Sequence, residues 1–135
     1  MQKALAPQQV IRVLIIDDEP LFRHGVAAAL GDDERLEFII SEAGDGEAGL
    51  ARIASEKPAV VLLDLNMPGL DGHAVLRQVK ERWPQIRVIV LTGSDSPEDR
   101  RRAEQAGVDA FVEKRDAVGL GLLQTLVRTL TSEGH

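Results

Sequence analysis

The sequence predicts a doubly wound α/β fold, with a parallel five-stranded sheet in the order 2-1-3-4-5 covered by helices on both faces. Five apolar runs (11–16, 36–41, 59–63, 87–91 and 109–113) alternate with five stretches at helical spacing. Regular β-α alternation implies right-handed crossovers and a parallel sheet. Several runs are continuous Val, Ile and Leu, as strands covered on both faces require. Four of them end on polar residues: Asp17 and Asp18, Asp64, Thr92, and Lys114 after Glu113. Strands that run parallel bring all those ends to one edge, where open α/β sheets bind their ligands.

Taken in order, Met1 to Gln9 lacks the apolar segment of a secretory signal and reads as a flexible tail before a domain at 10–131. The first helix follows Pro20, with Leu21, Phe22, Val26 and Leu30 as its apolar face, and ends at Gly31. Leu36-Glu37-Phe38-Ile39-Ile40-Ser41 is the most polar strand candidate and suits an edge. Ala48, Leu50, Ile53 and Ala54 mark the second helix, stopped before Pro58; Val75, Leu76, Val79 and Trp83 mark the third, stopped at Pro84. Ser96-Pro97-Glu98-Asp99 reads as an N-cap, a first-turn proline and acids at the positive helix end.

Between Pro97 and Gly107 the only apolar residues are Ala103 and Ala106, so the fourth helix is expected to be the most weakly held element. Arg100-Arg101-Arg102 reads as its solvated face. Asp116 can cap the fifth helix. There Leu120, Leu123, Val127 and Leu130 form one face, which Val118, Leu122 and Leu126 widen into a broad core face or a self-association surface. Gly119 and Gly121 weaken its start by about 1 kcal/mol each relative to alanine. Residues 132–135 form a C-terminal tail, either native or the start of a purification tag.

Composition narrows the function. A chain of 135 residues buries roughly two-thirds of its unfolded surface, enough for one domain with a core. A net charge of −6 argues against a nucleic-acid surface, which needs clustered positive potential. The absence of cysteine excludes disulfides, thiol chemistry and thiolate metal sites, and agrees with a reducing, cytoplasmic setting. No apolar stretch reaches the ~20 residues that span a bilayer. His24, His73 and His135 are not spaced as ligands and read as surface or helix residues.

The chemistry of the edge follows from charge. Carboxylates of Asp17, Asp18 and Asp64, on neighbouring strands, repel unless a cation sits among them. Hard oxygen donors with room for water favour Mg2+, which commonly takes one or two carboxylates together with phosphate oxygens. Lys114 adds a second positive charge, Thr92 a hydroxyl for a phosphoryl oxygen, and Gly93 leaves space beside it. An ionised carboxylate needs no general base, so attack on phosphorus by Asp64 gives an aspartyl phosphate.

The motifs Ile16-Asp17-Asp18-Glu19-Pro20, Leu63-Asp64-Leu65-Asn66-Met67-Pro68-Gly69-Leu70-Asp71-Gly72, Leu91-Thr92-Gly93 and Phe111-Val112-Glu113-Lys114 together resemble the receiver domains of bacterial two-component response regulators. The resemblance runs from about Val10 to Leu130. It implies a flavodoxin-like three-layer sandwich with Asp64 as phosphoacceptor for a sensor histidine kinase or phosphotransfer protein. Asp18, Asp64 and the backbone carbonyl of Asn66 would bind Mg2+, and Asp17 would support the metal through water. Lys114 would contact the phosphate. Thr92 and Phe111 would be the switch pair, repacking the surface of the fourth helix, fifth strand and fifth helix to control an attached or separate output, with homodimerisation through that surface. Such a protein is a signalling phosphoacceptor that catalyses only its own phosphorylation and dephosphorylation. The motifs at both ends most resemble receivers of helix-turn-helix transcription regulators. Two departures stand out: many receivers have proline after the lysine where this chain has Arg115, and the switch aromatic is Phe rather than Tyr.

Two other readings compete. Gly44-Asp45-Gly46-Glu47-Ala48-Gly49 matches a dinucleotide fingerprint, with Asp64 twenty residues beyond Gly44. It follows the second, edge strand rather than the first and leaves Asp17, Asp18, Thr92 and Lys114 unexplained. A degenerate receiver that only binds proteins is the other, and the intact five-residue set argues against it.

Overall fold

A computed structural model describes residues 9–31, 36–93, 96–117 and 122–132. The elements run β1 (Gln9–Ile16), α1 (Pro20–Leu30), β2 (Leu36–Ala43), α2 (Gly46–Glu56), β3 (Val60–Asp64), α3 (Gly72–Arg82), β4 (Arg87–Thr92), α4 (Pro97–Gln105), β5 (Ala110–Glu113), α5 (Lys114–Ala117) and α6 (Leu122–Ser132). All strand pairings are parallel, in the order β2-β1-β3-β4-β5. The register keeps the strand ends level: Ile16 lies opposite both Ala43 and Leu63, Asp64 opposite Leu91, and Thr92 opposite Glu113. The polar residues that close the strands are thus brought to one edge.

Alternation along the strands divides the core in two. Leu14, Ile16, Val61, Leu63, Val88 and Val90 face the layer of α2, α3 and α4. Val13, Ile15, Val60, Leu62, Ile89 and Leu91 face α1 and α6. Every residue of β3 is buried, which accounts for its unbroken apolar sequence.

Several local expectations change. Leu21 is 86% exposed, so α1 buries only Val26 and Leu30, with Phe22 packed partly against them. In α2 the buried positions are Gly46, Gly49 and Ile53, while Ala48 and Ala54 are exposed. The reason is close packing. A Cβ on Gly46 would lie 2.8 Å from Val75, and one on Gly49 would lie 2.5 Å from Ile16. Two of the fingerprint glycines, Gly46 and Gly49, are therefore packing positions of α2, while Gly44 is exposed before it.

A further difference is α5. The sequence suggested a single last helix capped by Asp116, but Asp116 lies inside a separate short helix that starts at Lys114. Proline after a residue pushes that residue out of the helical region, and here Arg115 occupies the place of proline. The backbone is free to turn helical directly at Lys114.

In α6, Leu123, Val127 and Leu130 are buried, and Leu122 and Leu126 pack partly on the same core. Among the described residues the wide apolar face is a core face. Val118 to Gly121, Ser94 and most of both expected tails lie outside the described residues, with Gln9 opening β1 and Ser132 closing α6.

Candidate functional site

Asp17 stands one residue past β1, and its N–H still pairs with the Ala43 carbonyl of β2 at 3.0 Å. Its Oδ1 accepts the Glu19 N–H at 2.8 Å, an Asx turn that folds the chain toward α1. Arg23 reaches back from α1, donating from Nη1 to the Asp17 carbonyl at 2.6 Å and pairing with Glu42 at 2.8 Å. Asp17 is consequently buried, whereas Asp18 is exposed.

Asp64 is the last residue of β3 and is 3% exposed. Its Oδ1 accepts the Asn66 N–H at 3.0 Å. The loop beyond it is pinned by Gly72, where a Cβ would lie 2.5 Å from Leu65 Cα and 2.7 Å from the Asp64 carbonyl oxygen. No other residue permits that approach. Thr92 is fully buried at the end of β4, and its Oγ1 accepts from Asn66 Nδ2 at 3.4 Å.

Lys114 closes the site. Its Nζ lies 2.8 Å from Asp17 Oδ2, 2.7 Å from Glu19 Oε1 and 3.3 Å from Asp64 Oδ2, and 4.5 Å from the Phe22 ring centroid. Burial opposes its charge, but contacts with Asp17 and Glu19 and the field of Asp64 outweigh that and hold the ammonium above the usual lysine range. Burial pushes Asp64 above the usual carboxylate range; the Asn66 N–H and Lys114 pull it down, and the charge of Asp17 adds to the rise. Glu19, by contrast, is lowered by its hydrogen bond to Lys114.

Three carboxylates, Asp17, Glu19 and Asp64, thus contact one ammonium, and Asp18 stands beside Asp17 and Asp64, so the site carries more acidic groups than cations. Asp17, Asp18 and Asp64 each offer an oxygen within 4.8 Å of the others. Asp17 Oδ2 is buried and, although close to Lys114, accepts no aligned hydrogen bond. A hard divalent cation fits this donor set, because it supplies the missing charge and occupies the unaligned oxygen directly or through water. Asp18, Glu19, Asp64, Asn66, Gly93 and Lys114 line an open pocket of about 250 Å³, room for a phosphoryl group. A larger recess of about 590 Å³ lies at the opposite edge, around Arg12, Pro58, Ile86 and Leu130, away from the carboxylates.

Asp17, Asp18, Asp64 and Lys114 therefore converge, and Thr92 is joined to them through Asn66 without lining the pocket. Phe111 does not line the pocket; it lies opposite Val90, half-buried, with the Arg100 guanidinium over its ring. Glu19 and Phe22 were missed as partners of Lys114, although the acidic run 17–19 was a signal for the first. His73, read as a surface or helix residue, is in α3 but only 6% exposed, because its ring is turned onto Asp99 of α4. Periodicity carries no signal for such a polar contact.

The chain is 32% identical over 124 residues to the transcriptional activator protein ExaE of Pseudomonas putida, covering 91% of this chain and 56% of ExaE. It is 34% identical over 104 residues to the response regulator protein VraR of Staphylococcus aureus, covering 77% of this chain and 49% of VraR. The chain spans about half the length of the curated relatives it matches. Its fold is similar to the signal receiver domain structure assigned to the response regulator NarL of Mycobacterium tuberculosis, at 33% identity and a TM-score of 0.79, covering 93% of this chain and 98% of that one. A CheY-like receiver domain protein of Methanospirillum hungatei is similar at 26% identity and a TM-score of 0.76, covering 93% and 98%. With the response regulator receiver domain model matching residues 13–124, the chain belongs to that family of signalling domains.

Proposed function

We propose that Asp64 is the phosphoacceptor of this receiver, working with Mg2+ at the Asp17–Asp18–Asp64 cluster. The observation that carries this reading is that Asp64 and a charge-compensating Lys114 line one small open pocket, with the carboxylates of Asp17 and Asp18 within 4.8 Å of that of Asp64. An Asp64 carboxylate oxygen attacks phosphorus, the phosphorus–nitrogen bond of a phosphohistidine breaks, and its electron pair stays on the imidazole nitrogen. Asp18, Asp64 and the Asn66 carbonyl would hold the metal, with Asp17 supporting it through water. When bound, Mg2+ would neutralise charge on the phosphoryl oxygens. Lys114 leaves Glu19 for a phosphoryl oxygen, and Thr92 donates its hydroxyl to another. Phe111 turns inward as Thr92 moves, and the surface of α4, β5 and α6 passes the change on.

In this reading the chain catalyses only its own phosphorylation and dephosphorylation, in the cytoplasm. A sensor histidine kinase or phosphotransfer protein supplies the phosphate, and a homodimer forms through α4, β5 and α6. Its relatives include a transcriptional activator, so the output is control of transcription. Incubation with acetyl phosphate and Mg2+, followed by intact mass, tests the central step. One added phosphate on the wild type and none on Asp64→Asn is the expected result; a gain that survives the substitution overturns it.

A further inference from the structure

Apolar anchorage of α4 is slight. Of its residues only Ala103 is buried, and Ala106 beyond its end is half-buried. Methyl burial at about 25 cal/mol per Å² holds a helix weakly and lets it slide. Polar contacts do the positioning instead. His73, in the first turn of α3, is 6% exposed, and its Nε2 lies 2.9 Å from Oδ1 of Asp99 in the first turn of α4. An ionised carboxylate only accepts, so Nε2 is the donor. Asp99 is also tied to the helix start, its N–H donating to Ser96 Oγ at 3.2 Å.

The other end of the contact is fixed to the phosphoacceptor loop. The His73 N–H donates to Asp71 Oδ1 at 3.0 Å. Gly72, its chain neighbour, packs directly on the Asp64 carbonyl and Leu65 Cα. A second link from this loop to α4, between Arg102 Nη2 and Asp71 Oδ2, is 3.9 Å long and solvent-exposed, and such pairs contribute little.

We infer that His73 is a positioning residue: its bond to Asp99 sets the resting place of α4 against the loop that carries Asp64. Hydrogen bonds weaken steeply with misalignment, so this link is closed or broken rather than stretched. That gives α4 two discrete arrangements, which an element that transmits a switch requires. The inference deepens the phosphoacceptor reading and rests on it for the activation step alone.

Hydrogen–deuterium exchange of the full chain, with Mg2+ and with or without beryllofluoride, tests it. Without beryllofluoride, His73→Ala and Asp99→Ala are each expected to speed exchange of α4 amides about tenfold, while β1 and α6 keep their rates. The double variant adds nothing beyond either single one, and His73→Gln, which retains a donor, restores part of the protection. The beryllofluoride concentration for half-saturation falls about tenfold in His73→Ala, because the resting arrangement has lost its bond. Unchanged α4 exchange, a rise spread evenly over the chain, multiplied effects in the double variant or an unmoved half-saturation would each overturn the inference. Should the wild type show no Asp64-dependent response to beryllofluoride, the phosphoacceptor reading fails, while exchange at α4 still decides the role of His73.

Discussion

The Arg100 guanidinium of α4 lies over the ring of Phe111 in β5, 4.5 Å from its centroid. The contact joins the least apolar helix to the residue expected to turn during switching. A partly exposed cation–π contact is worth about 0.5–1 kcal/mol. Arg100→Gln is therefore expected to lower the beryllofluoride concentration for half-saturation by about threefold, read by titration of the Phe111 ring resonances. An unchanged midpoint would mean that the two residues are not coupled.

The acidic cluster predicts a particular pH dependence. Burial raises the pKa of Asp64 in the folded chain, so the folded state holds that proton more tightly than the unfolded state. Stability from this group is present at low pH and lost as pH rises through the folded value. In metal-free buffer, Asp64→Asn should melt above the wild type at pH 7, with the gap closing as the pH falls below about 4. Mg2+ should stabilise the wild type and leave Asp64→Asn nearly unmoved, because only a state that binds the ion gains from it. A calorimetric pH series with and without the metal checks both.

Lys114 is the counter-charge for Asp17, Glu19 and Asp64. Lys114→Met leaves two buried carboxylates facing each other unpaired. A loss of about 3 kcal/mol at pH 7 is expected, recovered in part by Mg2+ and in part by acid. A loss insensitive to both would point to packing against Phe22 instead.

Three glycines should respond differently to alanine. At Gly72 the new Cβ meets backbone on two sides, so a loss of about 2–3 kcal/mol and slower phosphorylation are expected. At Gly49 it meets the buried Ile16 side chain at Cδ1, Cγ1 and Cγ2 but no backbone, and the loss should be somewhat smaller. At Gly44 the nearest atom is Arg23 Nη1 at 3.6 Å, ordinary contact, and stability should hardly change. Urea denaturation ranks the three; equal losses would contradict the packing account.

The contrast between β3 and α2 explains what sequence can reveal. A strand buried on both faces has to be apolar throughout, so Val60 to Leu63 announced itself, and strand order then fixed which edge carried Asp17, Asp64, Thr92 and Lys114. In α2 two of the three buried positions are glycines, whose value lies in what they leave out, so a search for apolar residues found Ile53 and Leu50 but also took exposed Ala48 and Ala54 for the buried face. His73 and Asp99 were illegible for another reason. Each is an ordinary surface residue type, and His73 is buried where it faces a half-buried Asp99, 26 residues along the chain, across two helices. The short helix at Lys114 was a matter of backbone freedom, conferred by the missing proline.

The ammonium of Lys114 meets Asp64 across 50 residues of chain and Glu19 across 95. During synthesis from the N-terminus, the three aspartates are present long before the lysine emerges. A chain stalled or cut before β5 holds the three aspartates without the ammonium that pairs with Asp17 and Asp64. On the proposed phosphoacceptor reading, the site is complete only once β5 has joined the sheet and set Lys114 beside Asp64, so an unfinished molecule is a silent one.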